Sequence, residues 1–347
     1  MFRRPVRLGT DCSGMGTAAL ALRGLSIPFD YVFGSEICPV ARAAMQANTP
    51  CRTLYHDIHG RHMPAESNVD IYVAGFPCQS FSVAGLRSGF SIDDGRGLFF
   101  FEVVRYIREF RPKAFLLENV EGLLTLAGGE CFWIVWSALT DLRHYNVHFQ
   151  RMNTRDHGIP QNRPRVFFVG LRRDVDRGTF SFPEPFMTTP SVEEFLDPRM
   201  SRPSFLDLPG PSATVARFNV FDLLQKIGDR GHDPFFEPWI LDCDSSIGRA
   251  KSMHDMCPCL TRSRGKGYWL SNRGRRMNVS EMLRLQGWQG SWTMTSSPLQ
   301  LGQMIGNAMS INVLQRLFCR VLPSIGLVDP LDLPDPWTIS VSWPGRP

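Results

Sequence analysis

An α/β fold with a parallel sheet, followed by a second, loop-rich domain, is predicted by three observations. First, the apolar run Val69-Asp70-Ile71-Tyr72-Val73-Ala74 reads as a buried strand of a parallel sheet and stops at Gly75-Phe76-Pro77. Second, the short strand Val6-Arg7-Leu8-Gly9-Thr10 turns at Asp11-Cys12-Ser13-Gly14-Met15-Gly16 into a helix over Thr17–Leu25, a cradle of the nucleotide-binding type. Third, composition shifts after Arg172, and residues 181–212 are rich in Pro, Ser and Phe without a long periodic segment.

The elements follow in order. Gly14-x-Gly16-x-x-Ala19 fits the loose dinucleotide fingerprint, a match of low specificity when it stands alone. A second strand, Tyr31–Ser35, ends in Glu36, twenty residues after Gly16, where an acid can accept both hydroxyls of a ribose. A third short strand near Arg52–Tyr55 ends at Asp57-Ile58. Asp57 suits an adenine amino group or a plain turn, and the residues leave both readings open.

Cys78 follows Pro77 at a strand's carboxyl end, where open α/β sheets carry their chemistry. Pro77 fixes its own φ and biases Phe76 towards extended geometry, giving the thiol a defined direction. An inert buried cysteine is the alternative reading. The Ser- and Gly-rich segment behind Cys78 reads as a loop. Arg96 then opens an amphipathic helix to about Phe110, and Lys113–Leu117 is a further buried strand ending in Glu118-Asn119-Val120. A carboxylate at that strand end costs desolvation, which suits a general acid; a helix cap is the alternative. A helix over Cys131–Leu142 precedes strands near Asn146–Asn153 and Pro164–Leu171. Before the last of these, Arg163 and Arg165 share one face of an extended segment, suited to an anionic or carbonyl-rich ligand.

In the second domain, Arg249, Lys251, Arg262, Arg264, Lys266, Arg273, Arg275 and Arg276 stand against the single acid Asp255. Such an excess is the footprint of a polyanion site or a solvated basic face. Lys266-Gly267-Tyr268-Trp269 interleaves cations with aromatics. Asn278–Gly287 reads as a short capped helix, and Leu301–Met309 leads into a helix through Arg320. The tail Asp329–Pro347 is Pro- and Trp-rich and reads as an extension packed on the surface or partly disordered. Cys243, His254, Cys257 and Cys259 invite a metal reading, but their spacing fits no standard zinc site and no metal is expected.

The whole chain has 347 residues, 43% of them apolar, with a net charge of +5, as for a globular protein with a full core. No apolar run approaches a membrane span and no signal-peptide core is seen, so no membrane association is expected. Nine cysteines without framework spacing suggest a reducing compartment. The expected location is intracellular: nuclear in a eukaryote, cytoplasm or nucleoid in a bacterium or virus.

Taken together, these segments resemble the cytosine-C5 DNA methyltransferase family. Ser13-Gly14-Met15-Gly16 with Glu36, Pro77-Cys78-Gln79, Glu118-Asn119-Val120, Gln161-x-Arg163-x-Arg165, Glu281-x-x-Arg284-Leu285-Gln286-Gly287 and Gly306-Asn307-Ala308 occur in the family's order, from Asp11 to about Leu317. The resemblance implies a Rossmann-like sheet domain that binds S-adenosylmethionine, with a small, loop-rich target-recognition domain inserted in it. The expected division is 1–180 for the catalytic domain, 181–297 for target recognition and 298–347 for a segment completing the catalytic domain. It further implies a Cys78 nucleophile assisted by Glu118, Arg165 and Arg163. Ser13, Gly14, Met15, Gly16, Glu36, Ile37, Asp57, Ile58, Pro77, Leu98, Asn307 and Ala308 are implied around the cofactor. Gln79, Ser82, Arg262, Arg264 and Lys266 are expected on double-stranded DNA, with the protein a monomer. Three departures stand out: Cys12 where the family usually has Phe, Ile37 where an aromatic often stacks on adenine, and Pro164 where a charged residue is usual. A tRNA-acting relative would share the motifs, but its usual Cys-Phe-Thr mark is missing; an inactive DNA-binding relative would not need Cys78, Glu118 and Arg165 intact.

Overall fold

In the computed structural model the described residues are 4–77 and 98–339, apart from the side chains of Leu98 and Ile339; Cys78, Gln79 and Ser82 lie outside them. The chain divides into two compact units, one over 1–153, 164–184 and 313–337, the other over 154–163, 185–312 and 338–347.

The first unit is a mixed α/β layer built in chain order. Its elements begin with β1 (Val6–Asp11), α1 (Thr17–Gly24), β2 (Phe29–Ser35), α2 (Pro39–Asn48), β3 (Thr53–Tyr55) and β4 (Ile71–Ala74). They continue with α3 (Leu98–Phe110), β5 (Ala114–Val120), α4 (Glu130–Thr140) and β6 (Tyr145–Asn153). After β7 (Gln161–Asn162), which belongs to the second unit, β8 (Pro164–Arg172) returns to the first. The seven strands lie in the order β3-β2-β1-β4-β5-β8-β6. β1 to β5 run parallel, and β8 enters antiparallel between β5 and β6.

Central strands of a parallel sheet are covered on both faces, and β4 is buried at all four residues. Phe33, Tyr72, Phe100, Val103, Tyr106, Phe115, Leu117, Val135 and Phe168 form one cluster from the sheet, α3 and α4. Helix α2 was not expected from the sequence. Among its ten residues Ala41, Ala44 and Met45 are the buried ones, and Pro39 opens its first turn.

The second unit holds more regular structure than a loop-rich domain suggests. Helix α5 (Thr214–Gly228) runs for 15 residues, burying Val220, Leu223, Leu224 and Ile227 while Phe218 and Phe221 stay exposed, which blurs its periodicity. Strands β9 (Trp239–Leu241), β10 (Ser252–His254), β12 (Trp269–Leu270) and β13 (Arg275–Arg276) form an antiparallel sheet in the order β10-β9-β12-β13, while β11 (Cys257–Pro258) pairs with β7. Helix α6 (Val279–Leu285) starts with a reciprocal cap between Asn278 and Glu281, and α7 (Pro298–Asn307) with one between Ser297 and Gln300.

A break at Ala308–Ser310 separates α7 from α8 (Ile311–Ser324), whose residues from Val313 onward complete the first unit. There the described part of the tail is anchored: the Trp337 indole donates to Gln315 Oε1 at 2.7 Å, and Arg316 Nε meets Asp335 Oδ2 at 2.7 Å.

Candidate active site

The glycine turn after β1 is left-handed at Cys12 (φ 49°), Gly14 (φ 53°) and Gly16 (φ 74°). Gly16 is the N-cap of α1 and no side chain caps that end, so the helix offers open N–H groups. Glu36 faces this turn. Its carboxylate accepts the Gly14 N–H at 2.8 Å on one oxygen and the Cys38 N–H at 2.9 Å on the other, leaving a lone pair on each. Nothing lies within 4 Å of where a Gly14 Cβ would stand, and Ile37 presents an apolar side chain that is 63% exposed. Two oriented carboxylate oxygens, open helix N–H groups and an uncovered apolar side chain fit a nucleoside-bearing cofactor with an anionic end.

Other residues expected around a cofactor have their side chains occupied elsewhere. Met15 and Ile58 are core residues, 2% and 3% exposed, because each faces into the packed layer, so only their backbones remain available. Ser13 Oγ is shared between Thr10 Oγ1 at 2.5 Å and the Ser35 N–H at 3.1 Å. Asp57 accepts the His59 N–H at 2.9 Å, so it serves its turn, while its second carboxylate oxygen accepts no hydrogen bond among the described residues.

At the carboxyl end of β5 the antiparallel register with β8 opposes Val120 to Arg165 and Glu118 to Phe167, which sets Glu118 and Arg165 diagonally on one face. Arg165 Nε lies 2.9 Å from Glu118 Oε1, and the two side chains are 14% and 12% exposed. Glu118 is therefore half of an ion pair, and Arg165 offsets the desolvation that the strand end costs it. Asn119, 1% exposed, donates its amide to the Phe76 carbonyl at 3.0 Å, fixing the backbone just before Pro77. No role for Asn119 was read from the sequence. Leu98 begins α3, and Pro77 closes the described segment after β4.

Arg163 does not share a ligand with Arg165. Its guanidinium is buried in the second unit and donates to the carbonyls of Leu260 (2.6 Å), Gly306 (3.3 Å) and Ala308 (2.6 Å). The reason is the switch at Pro164: β7 pairs with β11 on one side of it, and β8 joins the large sheet on the other. Arg163 thus grips both residues flanking Asn307, which makes it a positioning residue. Gln161 and Gln286 complete the arrangement, Gln161 Nε2 donating to Leu285 O at 2.8 Å and Gln286 Nε2 to Ala308 O at 2.5 Å. Ala308 is 5% exposed, whereas the Asn307 side chain is exposed at the end of α7. A Cβ on Gly306 would come within 2.2 Å of the Thr261 backbone, so this glycine seats the 261–265 loop directly on α7.

Half of the basic stretch is already neutralised by acids at other positions in the chain. Arg264 pairs with Asp242 (2.6 Å), Arg273 with Glu193 (2.9 Å), Arg275 with Glu281 (2.7 Å) and Arg276 with Asp244 (2.8 Å). Arg264 is therefore spent inside the unit instead of standing free for a polyanion. Arg249, Lys251, Arg262 and Lys266 are exposed and make no ion pair among the described residues. The described cysteines are free thiols, and burial pushes that of Cys243 up to about 11 and that of Cys257 well above its ordinary value.

Comparison with known proteins agrees with this geometry. The sequence model of the family described as C-5 cytosine-specific DNA methylase matches residues 12–204 and 244–322. The Type II methyltransferase M.NgoBI of Neisseria gonorrhoeae is 33% identical over 294 residues, 84% of this chain and 86% of that protein. The Type II methyltransferase M.HhaI of Haemophilus parahaemolyticus is 29% identical over 262 residues, covering 74% and 76%. Among solved structures, S. pombe Dnmt2 methyltransferase superposes with a TM-score of 0.61 at 17% identity, covering 93% of this chain and 100% of that one. A putative DNA modification methyltransferase from an E. coli prophage gives a TM-score of 0.63 at 18% identity, covering 92% and 99%. These two likenesses bear on the fold, a sheet domain of the S-adenosylmethionine-dependent methyltransferase type.

Proposed function

Because this chain belongs to the C-5 cytosine-specific DNA methylase family and is a DNA cytosine-C5 methyltransferase, we propose that it methylates a flipped-out cytosine of double-stranded DNA through a covalent Cys78–C6 adduct. The observation that carries this reading is the Glu118–Arg165 pair at the end of β5 and the start of β8, with Asn119 of the same strand as Glu118 holding the Phe76 carbonyl two residues before Cys78.

The chemistry follows from the substrate. C5 of cytosine is a poor nucleophile and its ring is stacked in the duplex, so the base must leave the helix at a cost of about a few kcal/mol. Cys78, as thiolate, adds to C6; the electron pair of the C5–C6 bond moves into the ring and makes C5 enamine-like. Glu118 binds the N3 and exocyclic amino edge, where charge develops, and Arg165 orients Glu118 while facing the O2 side. S-adenosylmethionine, the donor the family implies, supplies an electrophilic methyl group on a sulfonium. After methylation the C5 proton leaves to a base, the C5–C6 double bond re-forms and Cys78 departs as thiolate.

For the cofactor, Glu36 is proposed to take the ribose hydroxyls, Asp57 the adenine amino group and Ile37 a face of the adenine. The Met15 N–H and the open N–H groups of the first turn of α1 would meet the carboxylate end, with Ser13, Gly14 and Gly16 shaping the turn and Pro77, Leu98, Asn307 and the backbones at Ile58 and Ala308 around it. Gln79 and Ser82, with Arg262 and Lys266, are proposed on DNA. The division into a catalytic part over 1–180 and 298–347 and a target-recognition part over 181–297 belongs to the same proposal, as does a monomeric state. No helix among the described residues is long and apolar enough to cross a membrane.

The test uses an oligonucleotide with 5-fluorocytosine at the target, which has no C5 proton to lose. A protein–DNA adduct that requires S-adenosylmethionine, survives denaturing electrophoresis and disappears in Cys78→Ser is expected. An adduct mapping to another cysteine would overturn the assignment. Bisulfite sequencing of DNA methylated by the purified protein identifies the target site.

A further inference from the structure

At the carboxyl edge of the sheet lies a charge pair that the chemistry above does not use. Asp11 ends β1 and is 1% exposed; Arg61 stands in the segment after β3 with its side chain 4% exposed, and its guanidinium grips Asp11 through both terminal nitrogens. The Ser35 and Tyr72 hydroxyls also donate to the Asp11 carboxylate. The Arg61 guanidinium carbon lies 5.2 Å from the Phe33 ring centre and 5.5 Å from that of Tyr55.

Burying two charges costs several kcal/mol in desolvation, so such a pair is a poor device for stability alone. What it does well is fix position, because a bidentate arginine tolerates little rotation. Here it fixes the segment 57–61. That segment is tied at three points: Ile58 in the core, the His59 ring 4.4 Å from that of Phe99, and Arg61 on Asp11. Gly60 between the last two is left-handed at φ 63°, the turn that lets Arg61 reach inward.

We infer that Arg61, held by Asp11, is a positioning residue that aims the free carboxylate oxygen of Asp57 at the adenine of the cofactor. Arg61 touches no ligand itself. The inference rests on the reading of Asp57 proposed above and adds to it the part that makes Asp57 selective. Among the described residues, the Arg61–Asp11 pair is what ties the far end of the segment 57–61 to the strand that carries the glycine turn.

The experiment is calorimetric binding of S-adenosylhomocysteine and of S-inosylhomocysteine, which has an oxygen in place of the adenine amino group. The wild type is expected to prefer the adenosyl compound by about tenfold, the contribution of one oriented hydrogen bond. Asp57→Ala should bring that ratio near one. Arg61→Lys, which keeps the charge and loses the fork, should bring it near one with little change in affinity for the inosyl compound. The double variant should show no further loss, because both changes remove the same hydrogen bond. If Arg61→Lys does not fold, the neutral pair Asp11→Asn with Arg61→Gln replaces it under the same expectation. A variant at Arg61 that keeps the wild-type ratio, or weakens both ligands equally, overturns the inference and leaves the reading of Asp57 standing. A wild type without preference, or an Asp57→Ala that keeps it, overturns both.

Discussion

Asn119 donates its side-chain amide to the carbonyl oxygen of Phe76 at 3.0 Å, so the strand that carries Glu118 also holds the backbone leading to Pro77 and Cys78. Replacing Asn119 with Ala removes that donor from a buried carbonyl, at a cost of about 1–3 kcal/mol. The expected outcome is a lowered urea midpoint together with slower formation of the 5-fluorocytosine adduct. Normal adduct kinetics in a destabilised Asn119→Ala would limit this residue to folding.

The Glu118–Arg165 pair gives a sharper expectation. Arg165→Ala leaves a largely buried carboxylate without its partner, and Glu118→Gln keeps an acceptor for Arg165 while losing the charge. Both should lower turnover by about 10²–10³-fold, the loss typical of one preorganised electrostatic interaction. DNA affinity, read by fluorescence anisotropy, should change little in either. A parallel loss of DNA binding would mean that the pair holds the fold instead of the reacting base.

Salt dependence separates the exposed cations from the paired ones. Arg262→Ala and Lys266→Ala should each flatten the slope of log affinity against log salt, by about 0.9 for every phosphate left without its cation. Arg264→Ala should instead lower the melting temperature with little effect on that slope, since it leaves Asp242 without its cation. A slope that responds to Arg264 alone would reverse this division.

Acid should loosen the second unit through Glu193. Partial burial works against its ionisation, but hydrogen bonds from Arg273, Asn272 and Arg199 and the charge of Arg273 outweigh this and bring its carboxyl down to about 2. A carboxyl depressed in the folded state contributes stability that is full above the unfolded value of about 4.3 and is lost as pH falls towards 2. Urea midpoints measured between pH 5 and 2 should therefore fall less steeply in Glu193→Gln than in the wild type. Identical slopes would assign the acid sensitivity to other groups.

Features set by neighbours in the chain were legible in the sequence. The strand that stops at Gly75-Phe76-Pro77, the glycine turn before α1, and the Asn278 cap three residues ahead of Glu281 are all local patterns. Features set by distant partners were not. Arg163 and Arg165 look equivalent in an extended segment, but the exchange of sheets at Pro164 gives one to backbone carbonyls and the other to Glu118. Arg264 belongs with Asp242, 22 residues away, and Arg61 with Asp11, 50 residues away, pairings that no residue count near either arginine could disclose. Helix α5 escaped because Phe218 and Phe221 put aromatics on the side that faces solvent.

The first unit is assembled from three separate stretches, and the last of them, 313–337, lies beyond all of 185–312. Helix α8 in that last stretch buries Val313, Leu314, Leu317, Phe318, Val321 and Leu322, and the Ser324 carbonyl at its end accepts the Arg177 N–H at 2.9 Å. During synthesis, the partners of α8 leave the ribosome well over a hundred residues before α8 itself, at about 5–20 residues per second. The rest of the first unit therefore waits several seconds without this helix, and a chain that terminates anywhere in 185–312 lacks it altogether. Completion of the first unit waits for 313–337 to be made, and chaperone demand should concentrate in the interval before it.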